Sequence, residues 1–457
     1  MNEITPTETE APITFGNSME LFLTHVYNTR ITYPNQDILV AAPDIKACFR
    51  WPKNHADLAG AMSFVIGPIL YLAAAMVFGS SCSPTSWEAF RRGIMALAKA
   101  YFPRSSLLAK YQDYLDMLVW DPTINESTAV FISATADSRN NGVLDPQGRH
   151  QNTPSHIYVD DVLLAEIAPH MRQALVSVIE AIYVVMGFPD DKYRQRNLAM
   201  DKWTGMLVSH KAVLLGLAVN TRQMTVAITP EYRVSVLALL MTTWHKDRRS
   251  FTVSEIEKLA GKLGRLGEGA RWVFHLMGQI YSSIANSLRS NTQYLMHTSK
   301  QFKLIIRQVK NKHLTTTTED LREVNFAARQ IATSVHRCKE RYWINATLRA
   351  EIDLLTTTLA DPSISFSTPI AHCISRDPSA SVWGDACLYG GGGFSFDLQF
   401  WWHLQWPMEV QRRTKLYLAN NKNGKLISIN SLEFVSVIIN YAASLIAYAH
   451  RGFDDDP

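Results

Sequence analysis

Ile157-Tyr158-Val159-Asp160-Asp161-Val162-Leu163-Leu164 sets two adjacent carboxylates at the centre of an apolar run. β-Formers at 157–159 and 162–164, with Asp-Asp between them, predict a strand, a tight turn and a second strand. Two aspartates at one turn have two uses. They can form a solvated bend without chemistry, or they can hold divalent cations through hard oxygen ligands. The flanking sequence bears on which.

Upstream, Ile38-Leu39-Val40-Ala41-Ala42-Pro43-Asp44 reads as a buried strand that ends in a carboxylate, with Phe49 five residues further on. An Asp at the end of a buried strand is costly without a partner such as a cation. Capping of the following turn explains Asp44 equally well. Next comes Phe78-Gly79-Ser80-Ser81-Cys82-Ser83-Pro84, in which Gly79 permits close backbone approach and Pro84 suits a helix first turn. A helix is predicted from Trp87 to about Tyr101, and the polar stretch 121–156 reads as an irregular connection. Downstream, Leu175, Val178, Ile179, Ile182 and Met186 give helical spacing over 167–186, ended by Gly187. Met200-Asp201-Lys202-Trp203 then precedes a hairpin over 213–220 and a short strand over 224–228.

A chain of 457 residues implies two to four domains, and 47% hydrophobic with 19% charged residues is an ordinary globular balance. The net charge of +4 decides nothing; its distribution is more telling. Residues 1–43 carry Arg30 against Glu3, Glu8, Glu10, Glu20 and Asp37, a net −4. Residues 236–312 hold 13 Lys/Arg against Asp247, Glu255, Glu257 and Glu268, a net +9. Such a block is the footprint of a polyanion partner, or else a solvated helical face. Within it, Thr252-x-x-Glu255 opens a helix as a capping box. Ile256, Leu259, Leu263 and Leu266 then form an apolar stripe, and Lys258, Lys262 and Arg265 a basic one. A second amphipathic helix is expected over 270–289, a linker at 315–318 and further helix over 320–355.

The five cysteines, Cys48, Cys82, Cys338, Cys373 and Cys387, are widely spaced and contain no CxxC, which argues for reduced thiols in an intracellular protein and against a zinc site. No basic region followed by an apolar core opens the chain, so no secretory signal is read there. Leu58 to Gly79 runs for 22 residues without a charge, the length of a membrane span. Gly67-Pro68 interrupts it, so a helix over 55–66 and a buried strand over 69–77 are expected, and no membrane contact.

The ordered set Asp44-x-x-x-x-Phe49, Phe78-Gly79-x-x-x-Ser83-Pro84, YVDD at 158–161, a later Lys and Leu214-Leu215-Gly216 resembles the palm of retroelement reverse transcriptases. It is most similar to the retrotransposon branch with Val at the second YxDD position, and it spans about residues 38–290. The resemblance implies an α+β fold: a right-hand polymerase palm of antiparallel sheet with packing helices, a helical thumb and a partial RNase H-like α/β domain. Boundaries follow: a tail and remnant of fingers over 1–37, palm over 38–235, basic thumb over 236–312, helical connection over 313–375, and the RNase H-like part over 376–457.

The resemblance also implies roles. Asp44 and Asp160, with Asp161 as accessory, would ligate Mg²⁺ or Mn²⁺ for nucleotidyl transfer. Phe49 would pack against the deoxynucleotide sugar, and Gly79 and Pro84 would shape the loop under the template base. Lys202, with Lys211 as rival, would stand near the pyrophosphate. Lys258, Lys262 and Arg265 would track phosphates of an RNA template and DNA primer, with deoxynucleoside triphosphates as substrate.

Ser381 to Cys387 reads as a strand carrying Asp385; a glycine-rich hairpin with an aromatic strand follows, and Ile429-Asn430-Ser431-Leu432-Glu433 opens a helix running to about Ala449. This order resembles the RNase H fold, with Asp385 and Glu433 as two of its carboxylates; Asn430-x-x-Glu433 is equally a capping box. The family's third carboxylate sits on a later strand, and 451–457 offer no apolar strand, so no RNase H cleavage is expected. Arg30 is the only base ahead of Asp44 where the family places triphosphate-binding fingers. The chain is therefore expected to be a fragment of a retroelement polyprotein with reduced or no activity, or a non-catalytic relic that binds nucleic acid through its basic thumb.

Overall fold

The apolar runs pair as strands, and their alternation sends side chains into two separate cores. A computed structural model describes residues 13–50, 53, 63–72, 75–76, 82–124, 155–189, 197–312, 318–338, 341–375, 380–419 and 426–450. The chain divides into two units, Met1–Ile374 and Ser375–Pro457.

The first unit is built on a three-stranded antiparallel sheet in the order Ile38–Ala41, Asp161–Ile167, Ser155–Tyr158. Successive side chains point to opposite faces. Ile38, Val40, Leu163 and Ala165 therefore enter one core, beside Phe22, Leu23 and Val26 of helix Ser18–Thr32. Leu39, Ala41, Val162 and Leu164 enter another, beside Trp87 and Ile94 of helix Cys82–Tyr101 and Leu175 and Ile179 of helix Ala168–Met186. Burial on both faces is why these strands read as continuous apolar runs rather than as alternation.

The first core continues through a second sheet, ordered Ser367–Pro369, Thr225–Ile228, Leu217–Asn220, Lys211–Leu214. Helices Pro230–Thr242, Val253–Gly269, Gly278–Thr298 and Ala346–Ala360 pack on it. The divisions expected at 235/236 and 312/313 both lie inside the first unit. At the former, Val226 and Ile228 share one core with Val236, Leu240 and Leu259.

Several local expectations are corrected. The bend of the central hairpin falls one residue earlier than expected, at Val159-Asp160, because Tyr158 pairs with Asp161. Residues 64–66 form a strand rather than helix, and Ile69–Tyr71 is exposed rather than buried. The two pair across a Gly67-Pro68 turn in which Gly67 takes φ 60°, a conformation open to glycine; most of the expected 55–66 helix lies outside the described residues. The helix expected over 320–355 is broken: Thr318–His336 and Ala346–Ala360 flank strand Tyr342–Trp343, which pairs with Ser250–Phe251. Thr318 already belongs to helix, and the rest of the expected 315–318 linker is outside the described residues.

The second unit is a three-stranded antiparallel sheet, Trp383–Ala386, Gly390–Ser395 and Phe400–Gln405, followed by helices Met408–Leu418 and Ile429–His450. The sequence reading missed Met408–Leu418. The long helix lays Ser436 and Asn440 on a sheet face made of glycine: a Cβ at Gly391 would meet Ser436 Oγ at 2.6 Å, and Trp402 Nε1 donates to Asn440 Oδ1 at 2.6 Å. Its other side exposes Phe434, Ile438, Tyr441 and Leu445. Among the described residues this helix is long and apolar enough to cross a membrane; much of 58–79 lies outside them.

Candidate active site

The three aspartates meet because two strands carry them to one point. Asp44 follows strand Ile38–Ala41 and forms an antiparallel bridge with Asp161, the first residue of its strand. Backbone hydrogen bonds fix the juxtaposition: Ile45 N donates to the Asp160 carbonyl at 2.8 Å, and Val162 N to the Pro43 carbonyl at 2.8 Å. Val159 closes the turn at φ 55°, an unusual value for a β-branched residue. The turn is tied to two helices. Trp87 Nε1 donates to the Val159 carbonyl at 2.6 Å, and Ser18 Oγ to the Ile157 carbonyl at 2.7 Å. Sequence reasoning missed both residues; a Trp one helical turn after Ser83-Pro84 was the available signal for the first.

Asp44 is buried, and Lys202 Nζ donates to its Oδ2 as an ion pair. Ala199 N donates to the Asp44 carbonyl at 3.0 Å, which anchors the short helix Met200–Trp203 carrying Lys202. The rival Lys211 is exposed at the start of its own strand, opposite Asn220.

Negative charge accumulates at this point. Burial lifts the carboxyl of Asp160 above its usual range and the neighbouring Asp44 adds to that, while Lys202 opposes it. Burial also lifts Asp161, with Asp160 and Asp44 adding and Lys202 again opposing. The Lys202 ammonium is raised in turn, first by its hydrogen bond to Asp44. Beside them the buried Cys48 thiol is pushed up to about 12 by burial and by Asp160 and Asp44, so it is no nucleophile.

Three carboxylates of raised or ion-paired character are a donor set of hard oxygens suited to Mg²⁺. Their side chains as they stand do not form a cage: among the described residues no group of three or more His, Cys, Asp or Glu is set to hold a metal ion. Lys202 engages Asp44 Oδ2, an oxygen that a cation would need.

The other predicted residues fall as follows. Phe49 is 6% exposed and packs in the second core, leaving little ring surface for a sugar. Pro84 is half-buried in the first turn of helix Cys82–Tyr101, and Gly79 lies outside the described residues. On helix Val253–Gly269 the capping box is formed by Thr252 and Glu255, and Ile256, Leu259, Leu263 and Leu266 are fully buried. Lys258 and Lys262 are exposed on the other side; Arg265 is half-buried and paired with Glu268. Asp385 and Glu433 are not brought together. Gly384 and Ala386 face the helix that carries Glu433, so Asp385 between them points to the opposite face of the sheet.

No protein-family model and no curated protein matches the chain. Among solved structures it is similar to the foamy viral protease-reverse transcriptase dRH in complex with ds DNA, at TM-score 0.39 and 8% identity over 98% of this chain and 52% of that one. The foamy viral protease-reverse transcriptase with RNA/DNA hybrid gives TM-score 0.36 and 10% identity over 93% of this chain and 38% of that one. Its complex with dsDNA gives 0.29 and 10% over 92% and 66%. The chain thus spans about half the length of the first of these. Identities of 8–10% at such TM-scores establish neither a shared fold nor a shared activity.

Proposed function

We propose that the chain is an RNA-directed DNA polymerase of retroelement type, acting on a template–primer and deoxynucleoside triphosphates. The observation that carries this reading is the bridge between Asp44 and Asp161, with Asp160 on the same turn. Asp44, Asp160 and Asp161 would hold Mg²⁺ or Mn²⁺, which when bound lowers the pKa of a primer hydroxyl and steadies a leaving pyrophosphate. Burial and mutual repulsion leave these carboxyls short of positive charge, and a divalent ion supplies it. Lys202 holds Asp44 meanwhile; once released, its exposed ammonium is free to meet a phosphate. Trp87 holds the Val159 carbonyl in the turn and Ser18 the Ile157 carbonyl in the strand before it, which fixes the backbone that carries the carboxylates. Within the first unit, Lys258 and Lys262 would take up the phosphates of the duplex. This reading also places the protein inside the cell.

The test is Mg²⁺-dependent primer extension. Wild type is expected to extend a primer on an RNA template, and Asp160→Asn to lose at least about a hundredfold, the scale of removing one main transition-state interaction. Equal extension by both, or none by a folded wild type, sinks the reading.

The ion pair between Lys202 and Asp44 favours a second reading, in which the chain binds nucleic acid without synthesis. It predicts salt-sensitive binding, weakened by charge reversal of Lys258 and Lys262, with no extension under any divalent ion.

A further inference from the structure

The second unit carries a groove that the polymerase reading does not use. Cross-strand register puts Trp383, Phe394 and Trp401 in one row on the sheet face away from helix Ile429–His450. The next row on that face is Asp385, Gly392 and His403, and Gly390 lies opposite Gln405 beyond it. Gly390 and Gly392 on the middle strand leave a floor without side chains. Asp385 stands on one side of that floor and His403 and Gln405 on the other. The walls are two strand spacings apart, about 10 Å. The recess encloses about 460 Å³ and is lined also by Cys387 and Tyr389.

The end wall is aromatic and open. Trp383 and Phe394 stack at 5.4 Å with an interplanar angle of 17°, while Trp401 is 78% and Phe396 76% exposed. Flat rings beside a flat glycine floor, with a carboxylate and an imidazole across from each other, suit a planar heterocycle that hydrogen-bonds at its edge. A cation completes the set. The exposed Lys415 ammonium stands 5.5 Å from the ring centroid of Tyr389, at the rim of the recess, where a backbone phosphate would be met.

The geometry points to a binding site for single-stranded nucleic acid on this sheet: one base stacked on Trp401, its neighbour in the glycine-floored groove between Asp385 and His403, and a phosphate at Lys415. Base–aromatic stacking tolerates any sequence because every base has a π-face, whereas the groove walls impose a preference. The Asp385 carboxylate only accepts, so it favours bases with an exocyclic amino group, cytosine and adenine over thymine. The site does not depend on polymerase activity in the first unit.

The experiment uses the full chain and fluorescently labelled oligonucleotides of ten nucleotides: oligo-dC, oligo-dT and an abasic strand of equal length, followed by anisotropy at fixed salt. Trp401→Ala is expected to weaken oligo-dC binding about tenfold while leaving the abasic strand unchanged, because only stacking is removed. Trp401→Phe should restore most of the affinity. Asp385→Asn should reduce the preference for oligo-dC over oligo-dT. Trp401 is almost fully exposed, so its replacement leaves the core intact, and an unaltered circular dichroism spectrum checks this. Equal loss for the abasic strand, or no loss for any strand, overturns the site. So does a change confined to the oligomeric state in sedimentation, which would make this face a contact between copies.

Discussion

At the scale of single residues, two side chains in the central hairpin are held at a cost. Val159 adopts φ 55° so that Val159-Asp160 can close a two-residue turn. Turns of this φ pattern favour glycine at that position. Strain of this kind costs about 1–3 kcal/mol, against about 0.5–1 kcal/mol for the extra chain entropy that glycine loses. Val159→Gly should therefore stabilise the fold by about 1 kcal/mol, read from the urea midpoint at unchanged slope. A lower midpoint would refute the strain account. Two residues before Tyr158, His156 is buried with neither ring nitrogen hydrogen-bonded. Burial, and then His25 and Arg91, press its pKa down to about 3. The unfolded imidazole takes a proton near pH 6.5, and the folded one does so only near 3. Stability is therefore complete above pH 6.5 and falls as the pH drops toward 3, with a slope approaching about 1.4 kcal/mol per pH unit. Carboxylates confuse the picture lower down. Glu88, raised by burial but lowered more by hydrogen bonds from Arg91, Thr14 and Arg92, titrates in the fold at about 2 and adds its own loss below 4.5. The window to read is pH 4.5–6.5, where Asp160 and Asp161, lifted by burial, contribute alike to wild type and variant. Across it, His156→Leu should flatten the stability profile; an unchanged slope would show that His156 is protonated in the fold.

At the scale of elements, what could be read from sequence was what the local chain decides. Helix Val253–Gly269 announces itself through Thr252, Glu255 and a four-residue apolar stripe, and each is where the spacing put it. Its cap can be measured. Thr252 Oγ1 accepts from Glu255 N while Glu255 Oε2 accepts from Thr252 N, so Thr252→Ala should destabilise the first unit by about 1 kcal/mol. A loss within error of zero would mean that water serves these donors equally well. Glu255 does more than cap, since Arg248 pairs with it at 2.6 Å, which is why the Thr substitution isolates the cap better than a Glu one. Elements decided by long-range pairing were less legible. Tyr342-Trp343 is a strand through its pairing with Ser250–Phe251, and the Asn345 cap that starts the next helix is the local signal passed over. Ile69-Leu70-Tyr71 looks buried by composition, yet among the described residues it pairs with Phe64–Ile66 alone and stays exposed. Met408–Leu418 hides because its first turns are mostly polar, with Glu409 bonded to Arg412 and Arg413.

At the scale of the whole molecule, the same division separates what order of motifs can predict from what packing must supply. Asp44, Asp160 and Asp161 could be grouped from their sequence blocks, but the choice of Lys202 over Lys211 as the Asp44 partner needed the anchor from Ala199 N, contributed by a segment with no distinguishing pattern. Apolar residues from Phe22 to Ile370 join one core, so nothing in composition marks a seam at 235/236. The second unit is the contrast. Its core cluster is Ala386, Trp406 and Leu432, with Val410, Ile427 and Ile429 partly buried around them. Its long helix meets the sheet through one aliphatic side chain, Leu432, and two polar ones, Ser436 and Asn440. Stability scales with apolar area removed from water, at about 25 cal/mol per Å², so a unit with so small a core opens at lower free energy than one holding two large cores. Native-state hydrogen exchange tests this directly. Amides of strands Gly390–Ser395 and Phe400–Gln405 should exchange through an opening that leaves those of Asp161–Ile167 protected, and rising urea should merge the two only near the global transition. The Trp402–Asn440 bond locates the weak point: Asn440→Ala should speed exchange in the second unit severalfold, as expected for losing about 1 kcal/mol, and leave the Asp161–Ile167 amides untouched. If both sets of amides respond alike, the two units unfold as one and the division at Ile374 has no energetic meaning.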